Sequence, residues 1–224
     1  MPKISFAKLD SKIKLLGSEI IGAVKKSILE KVGEGDLNDY KVVWKQLQDI
    51  AGDAIKAILE KNFEGATITI PESKSAYPDV KMEYQGHKIA FDVKSNESSK
   101  DPWYDIARLD TIELKRLAKF NEEYDLVVKY DSKTKKLLEI YFEPLRCTVG
   151  YNGKCKGVKF RPYDGKLRPK SWADFENKKV YWKTKEAFAK AVKNSKMFRR
   201  KNLIKQWIKD MTAIETNQLK GLFD

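Results

Sequence analysis

Residues 77–95 read YPDVKMEYQGHKIAFDVKS. Two runs, 79–84 and 88–94, flank Gln85-Gly86, a two-residue turn with glycine where the backbone needs positive φ. A turn at that place fixes the pairing of the two runs as a β-hairpin. Val80 then faces Phe91, Met82 faces Ile89 and Tyr84 faces His87, which gathers the apolar side chains on one face, as a half-buried hairpin requires. The opposite, outer face carries Asp79 across from Asp92, Lys81 across from Ala90, and Glu83 across from Lys88. Lys94 lies two residues beyond Asp92 and shares its face.

Directly opposed residues of a strand pair hold their Cβ atoms about 4.5–5.5 Å apart, where like charges repel. A divalent cation between Asp79 and Asp92 turns that repulsion into chelation. Mg²⁺ takes one or two carboxylates, keeps several waters and leaves room for phosphate oxygens. Such an ion polarises a phosphodiester and lowers the pKa of a bound water, and a neighbouring Lys94 orients that water or steadies developing negative charge. The bland alternative is a solvated face on which Lys94 merely offsets Asp92. The chain offers two cysteines, Cys147 and Cys155, and one histidine, His87. These are too few for a disulfide framework or a four-ligand structural zinc site, and any metal must be held mainly by oxygen. Mg²⁺, with Mn²⁺ as substitute, is the expected cofactor.

Outward from the hairpin, the spacing of Ile13, Leu16, Ile20, Ile21, Val24 and Ile28 predicts a helix over 11–31. A second is predicted from an N-cap at Asp36 to about Phe63, with a possible break near Gly52, and a third over 102–120. Thr67–Ile70, Tyr124–Tyr130 and Leu137–Phe142 alternate like strands, and Val180–Trp182 is a candidate short strand. From Pro144 to Trp172 glycines and prolines predict loops or a loose hairpin, followed by helices over 184–194 and 198–213. No linker or repeat divides the 224 residues. The expected architecture is a single α/β (α+β) domain with a mixed central sheet and flanking helices: 1–65 helical, 66–143 the catalytic core, 144–224 a basic part.

The formal net charge is +13, and it is uneven. Pro144–Lys209 holds 20 Lys/Arg against four acids, a surplus of 16 that exceeds the charge of the whole chain. A polyanionic partner follows, nucleic acid before a membrane surface, because the basic stretch is interleaved with Tyr and Trp. No apolar run nears the roughly 20 residues of a membrane span, and the N-terminus lacks the pattern of a secretory signal, so a soluble, cytoplasmic protein is expected. The candidate DNA contacts are Ser95 and Asn96 after the second strand, then Lys159, Arg161, Lys166, Arg168 and Lys170 in the irregular segment, and Arg199 and Arg200 with Lys201 beyond it.

Tyr77-Pro78-Asp79 followed by Asp92-Val93-Lys94 resembles the PD-(D/E)xK nuclease signature. The stretch 77–95 as a whole is similar to the core of EcoRV-like type II restriction endonucleases. A looser likeness in CKGVKF (155–160) and TKEAFAKAVKN (184–194) follows the order of that family's DNA-contacting half. The resemblance implies a restriction-endonuclease-like core and Mg²⁺ held by Asp79, Asp92 and the Val93 carbonyl, with Lys94 assisting the attacking water. A further acidic ligand from a preceding helix is implied too, for which Asp49 and Asp53 are candidates ahead of Glu60. It also implies a prokaryotic type II restriction endonuclease cutting a specific site in double-stranded DNA as a homodimer, with the apolar N-terminal helices as the dimer contact. A structure-specific or repair nuclease with the same core is an alternative, and so is a DNA-binding protein without catalysis.

Overall fold

The computed structural model describes residues 4–32, 40–72, 77–134 and 136–220. The hairpin sits at its centre in the register the turn dictates. Strands β2 (Val80–Tyr84) and β3 (His87–Glu97) pair antiparallel with Val80 opposite Phe91, Met82 opposite Ile89 and Tyr84 opposite His87. Gln85 (φ 50°) and Gly86 (φ 86°) both take positive φ, the conformation whose twist suits a two-residue hairpin. β1 (Thr67–Thr69) adds to β2, while β4 (Glu122–Asp131) runs parallel to β3, and β5 (Lys136–Pro144) closes the far edge. The result is a mixed five-stranded sheet of order β1-β2-β3-β4-β5 with flanking helices, the α+β architecture expected from the sequence.

Helices α1 (Phe6–Leu15), α2 (Gly17–Val32) and α3 (Tyr40–Asn62) cover one face. The predicted 11–31 helix is thus two, parted at Leu16–Gly17. At Gly17 a Cβ would come within 3.1 Å of the Phe142 ring, so glycine gives α2 its close approach to β5. α3 runs unbroken through Gly52, and the predicted N-cap Asp36 lies outside the described residues. Ile13, Ile20, Val24, Ile28, Leu47, Ile55 and Leu59 pack on Met82, Ile89, Phe91, Val93, Tyr124, Leu126 and Val128. The apolar stripe expected to serve a dimer contact is therefore buried in the chain's own core.

The other face is covered as well. Leu109, Ile112, Val127, Leu145, Val149, Val158, Leu167, Trp172, Phe175, Phe188 and Val192 form a second core there. Val127 comes from β4; the rest come from the β3–β4 crossover, α4 (Leu145–Thr148) and the residue after it, the small hairpin β6 (Tyr151–Asn152) and β7 (Gly157–Val158), the irregular segment that follows, α5 (Trp172–Glu176) and the start of α6 (Lys185–Lys220). The outer face of the hairpin is thus covered at Ala90 and Asp92, while Lys81 and Glu83 stay partly exposed and Lys88 exposed. The crossover departs from the predicted helix at 102–120, keeping only a π-helical turn at Glu113–Leu117. Its backbone bonds outward instead: Ile106 N–H donates to the Leu167 carbonyl, Leu167 N–H to that of Ala107, and Leu109 N–H to that of Gly165. Two further departures concern the C-terminal part. Val180–Trp182 is irregular, and the two predicted helices are one continuous 36-residue α6 with no glycine or proline to break it.

Candidate active site

Strand alternation assembles the site. On β3, Phe91 and Val93 point into the first core, so Asp92, Lys94 and Asn96 point to the second. On β4, Tyr124, Leu126 and Val128 take the first core, which turns Glu123, Asp125 and Val127 to the same side as Asp92. The parallel register places Asp125 beside Asp92 and Val127 beside Lys94. Asp79 sits just ahead of β2, outside the ladder, and is tied to β3 by its Oδ2, which accepts from Val93 N–H at 2.6 Å. Its Oδ1 accepts from Gln48 Nε2 of α3 at 2.9 Å. Lys94 Nζ lies 2.9 Å from Asp92 Oδ2.

Arg116, from the π-helical turn, is the second buried cation. Its Nη2 lies 3.4 Å from Asp92 Oδ2, its Nε donates to Glu123 Oε2 at 2.6 Å, and its Nη1 donates to the Ile106 carbonyl at 2.6 Å. Its guanidinium lies over the Tyr77 ring, 3.7 Å from the centroid, and the Tyr77 hydroxyl donates to Glu123. Thr148 Oγ1 donates to Asp125 Oδ2 at 2.5 Å.

Burial dominates the electrostatics. Desolvation, then the charge of Asp92, pushes the Asp79 carboxyl up to about 7, partly opposed by the Val93 N–H and Lys94. Desolvation and Asp92 likewise push Asp125 up to about 7. Burial alone would raise Asp92 too, but Lys94 and Arg116 outweigh it and hold Asp92 below the usual carboxylate range. Burial works against the Lys94 ammonium, and Asp92 and Asp79 more than compensate, so it stays charged. Among the described residues, buried Asp125 Oδ1 and Glu123 Oε1 have no hydrogen-bond partner.

These residues fit a divalent cation. The donor set is all oxygen, two unsatisfied carboxylate oxygens lie on the same side of the sheet, and Asp79 and Asp92 crowd each other. Among the described residues no three acidic, histidine or cysteine side chains converge as a ready-made cage. Mg²⁺ asks for no cage, because one or two carboxylates with water suffice.

Other expected site residues fall elsewhere. α3 turns Gln48, not Asp49 or Asp53, toward Asp79: Asp49 and Asp53 are exposed, Asp53 lies 3.9 Å from Lys31, and Glu60 is exposed beside Lys56. Ser95 and Asn96 are buried, and Asn96 Oδ1 accepts from Trp103 N–H, so this side chain holds the crossover. Two of the expected DNA contacts need correction. Lys170 is 1% exposed with its Nζ 2.7 Å from Glu143, and Arg168 is 2% exposed, its guanidinium over Trp103 and 2.7 Å from Asp105. Both are structural cations, held inside by acids from neighbouring elements. Arg161 pairs with Asp164, Lys166 with Asp105, and Arg199 reaches Asp110 and the carbonyls of Pro162 and Tyr163. Arg200 and Lys201 are exposed, and Lys159 is half-buried.

Reading the sequence missed Gln48, Tyr77, Arg116, Glu123 and Asp125. The available signal was in β4, where acids at 123 and 125 interrupt an apolar strand that the sheet buries on both faces.

No family model matches the chain, and no curated protein does. NlaIV restriction endonuclease is a similar solved structure. The likeness covers 70% of this chain and 65% of that one, with a TM-score of 0.48 and 17% identity. The chain thus spans a little under two thirds of that enzyme's length.

Proposed function

We propose that the chain is a divalent-metal-dependent deoxyribonuclease of the PD-(D/E)xK kind, acting as a site-specific restriction endonuclease on double-stranded DNA. The carrying observation is the convergence of Asp79, Asp92 and Lys94 in a buried, acid-rich site that two unrelated stretches of chain close off. Asp79 and Asp92, with the Val93 carbonyl, would hold Mg²⁺ or Mn²⁺. The bound ion supplies charge neutralisation at the scissile phosphate and acidifies a coordinated water. Lys94 stands at the carboxylate pair and orients the attacking water. Asp125, beside Asp92, takes the place sought for a further acid. Gln48 and the Val93 N–H fix the orientation of Asp79. Arg116 holds Asp92 and Glu123, and the second core excludes bulk water, which strengthens every charge interaction within.

The exposed Lys154, Lys156, Arg200 and Lys201 suit phosphate contacts, and half-buried Lys159 stands near them. A homodimer matches a palindromic site, since one active site cuts one strand. The experiment is digestion of a sequenced plasmid by the purified chain with Mg²⁺, Mn²⁺ or EDTA. Discrete fragments with metal support the reading. Cutting only of branched or damaged DNA turns it to a repair nuclease, and binding without cutting under any divalent ion overturns it.

A further inference from the structure

Helix α6 begins as a core element and ends as something else. Phe188, Ala191, Val192 and Ser195 are buried, and this part packs on β7 and the π-helical turn. From Arg200 to Ile214 every residue is exposed. Yet the segment is not polar all round: Ile204, Trp207, Ile208, Met211 and Ile214 recur at three- and four-residue steps, with Trp207 65% and Ile204 58% exposed. Such a stripe marks a helix with a partner. Isolated helices of about 15 residues are marginal in water, and among the described residues this one buries little of its surface. Including Leu203, the six half-exposed side chains present on the order of 500 Å² in one strip, near the top of the range monomers leave uncovered.

We infer that this strip pairs antiparallel with its equivalent in a second copy of the chain. An antiparallel pairing about the Trp207–Ile208 step is self-complementary: Trp207 meets Ile208 and Ile204 meets Met211. The same register carries the end of the second copy's helix past Leu203. There a cavity of about 810 Å³ opens, walled by Tyr151, Phe160, Pro162, Phe198 and Leu203. Strip and cavity share Leu203, and the cavity's apolar wall extends the strip toward the roughly 800 Å² per partner of a standard interface, with Asn152, Lys154, Lys159, Arg199 and Asn202 also lining it. The N-terminal helices cannot serve instead, because their stripe is in the first core. The flanking lysines would also suit an anionic lipid surface, but a lipid surface would leave the cavity unfilled and bring Asp210 toward anionic headgroups. The inference is independent of whether the chain cuts DNA.

Sedimentation velocity of the full chain between about 1 and 100 µM, the range of micromolar association, reads the interaction directly. Twice the chain mass is expected. Ile208→Glu, which places two carboxylates at the two-fold axis and changes an exposed residue, is expected to keep the far-UV spectrum and to weaken association at least about 100-fold. Register is read by disulfide formation in a Cys155→Ser background. Ile204→Cys mixed with Met211→Cys should cross-link efficiently, and Ile204→Cys alone should not. A monomer throughout that range overturns the inference, as does undiminished association of Ile208→Glu or cross-linking of Ile204→Cys with itself. A monomer that instead co-sediments with phosphatidylserine vesicles overturns it in favour of a membrane surface.

Discussion

Replacing Arg116 with alanine tests the electrostatic design of the site most sharply. Arg116 is 4% exposed, and its side chain pairs with Glu123 at 2.6 Å and Asp92 at 3.4 Å, bonds the Ile106 carbonyl and covers the Tyr77 ring. Removing one partner of a buried pair costs about 3–5 kcal/mol, because the charge left behind is neither solvated nor matched. Here two acids are left, while Lys94 alone offsets Asp79, Asp92 and Asp125. A loss near 4 kcal/mol would take a large share of the roughly 5–15 kcal/mol that stabilises an ordinary protein, and would lower Tm by on the order of 10 °C. Glu123→Gln in the same background removes the stranded charge, so the double variant should recover about 1–3 kcal/mol. Arg116→Lys should rescue poorly, since an ammonium cannot reproduce the guanidinium's fork or its stacking. Urea denaturation of metal-free protein at pH 8 measures all four chains. A loss below about 1 kcal/mol for Arg116→Ala, or no recovery with Glu123→Gln, would refute the assignment of Arg116 as counter-ion of the site.

Asp92→Asn and Lys94→Met, chosen to keep side-chain volume, should each cut plasmid cleavage at least about 10³-fold, and Asp79→Asn should do likewise, read as initial rates on a gel. Near wild-type cutting by any of them would sink the active-site assignment. The stability of the metal-free protein should depend on pH in a stated direction. Asp79 and Asp125 reach about 7 when folded against about 3.8 unfolded, so the folded chain keeps protons that the unfolded chain releases. Stability should therefore fall as pH rises from about 4 to about 7 and level off above, and Asp125→Asn should flatten that fall and stabilise the protein at pH 8. A melting series in which stability rises over that window would contradict it. Lys154→Gln with Lys156→Gln should reduce the log–log salt slope of DNA binding by about 0.9 for each phosphate no longer neutralised, measured by anisotropy. An unchanged slope would place the DNA surface elsewhere.

What the sequence disclosed was whatever local rules decide. The Gln85-Gly86 turn needs only two residues to set its geometry, and period-two alternation then assigns Asp92 and Lys94 to one face. What lies on that face was not legible, because it depends on chain far away in the sequence. The parallel neighbour Asp125, the crossover's Arg116 and the covering residues Val149, Val158 and Leu167 reach it only through tertiary packing. Residues 102–120 carry helix-like spacing yet give their backbone bonds to the basic segment at 165–167, a competition no local pattern records. The same packing explains Arg168 and Lys170. In the sequence they are two more charges of a basic run, while in the fold Asp105 and Glu143 hold them inside.

The site carries four carboxylates, half-buried Asp79 and buried Asp92, Glu123 and Asp125, against two cations, half-buried Lys94 and buried Arg116. Fully ionised, it lacks two positive charges, in a place where an unmatched charge is costly. Two protons near neutral pH remove the deficit, which is what the carboxyls raised to about 7 express. One divalent cation removes it equally well. A site with a third and fourth buried cation would have no use for either, and a site open to water would keep all four acids ionised at little cost. The second core decides between these cases. By covering the hairpin's polar face it converts Asp79, Asp92 and Lys94 from ordinary strand charges into a site whose missing charge matches that of a divalent ion. The C-terminal half of the chain therefore has two separate roles. Under the proposed function its exposed lysines meet a polyanion, while Val149, Val158, Leu167 and Trp172 cover the face that holds Asp92, Glu123 and Asp125.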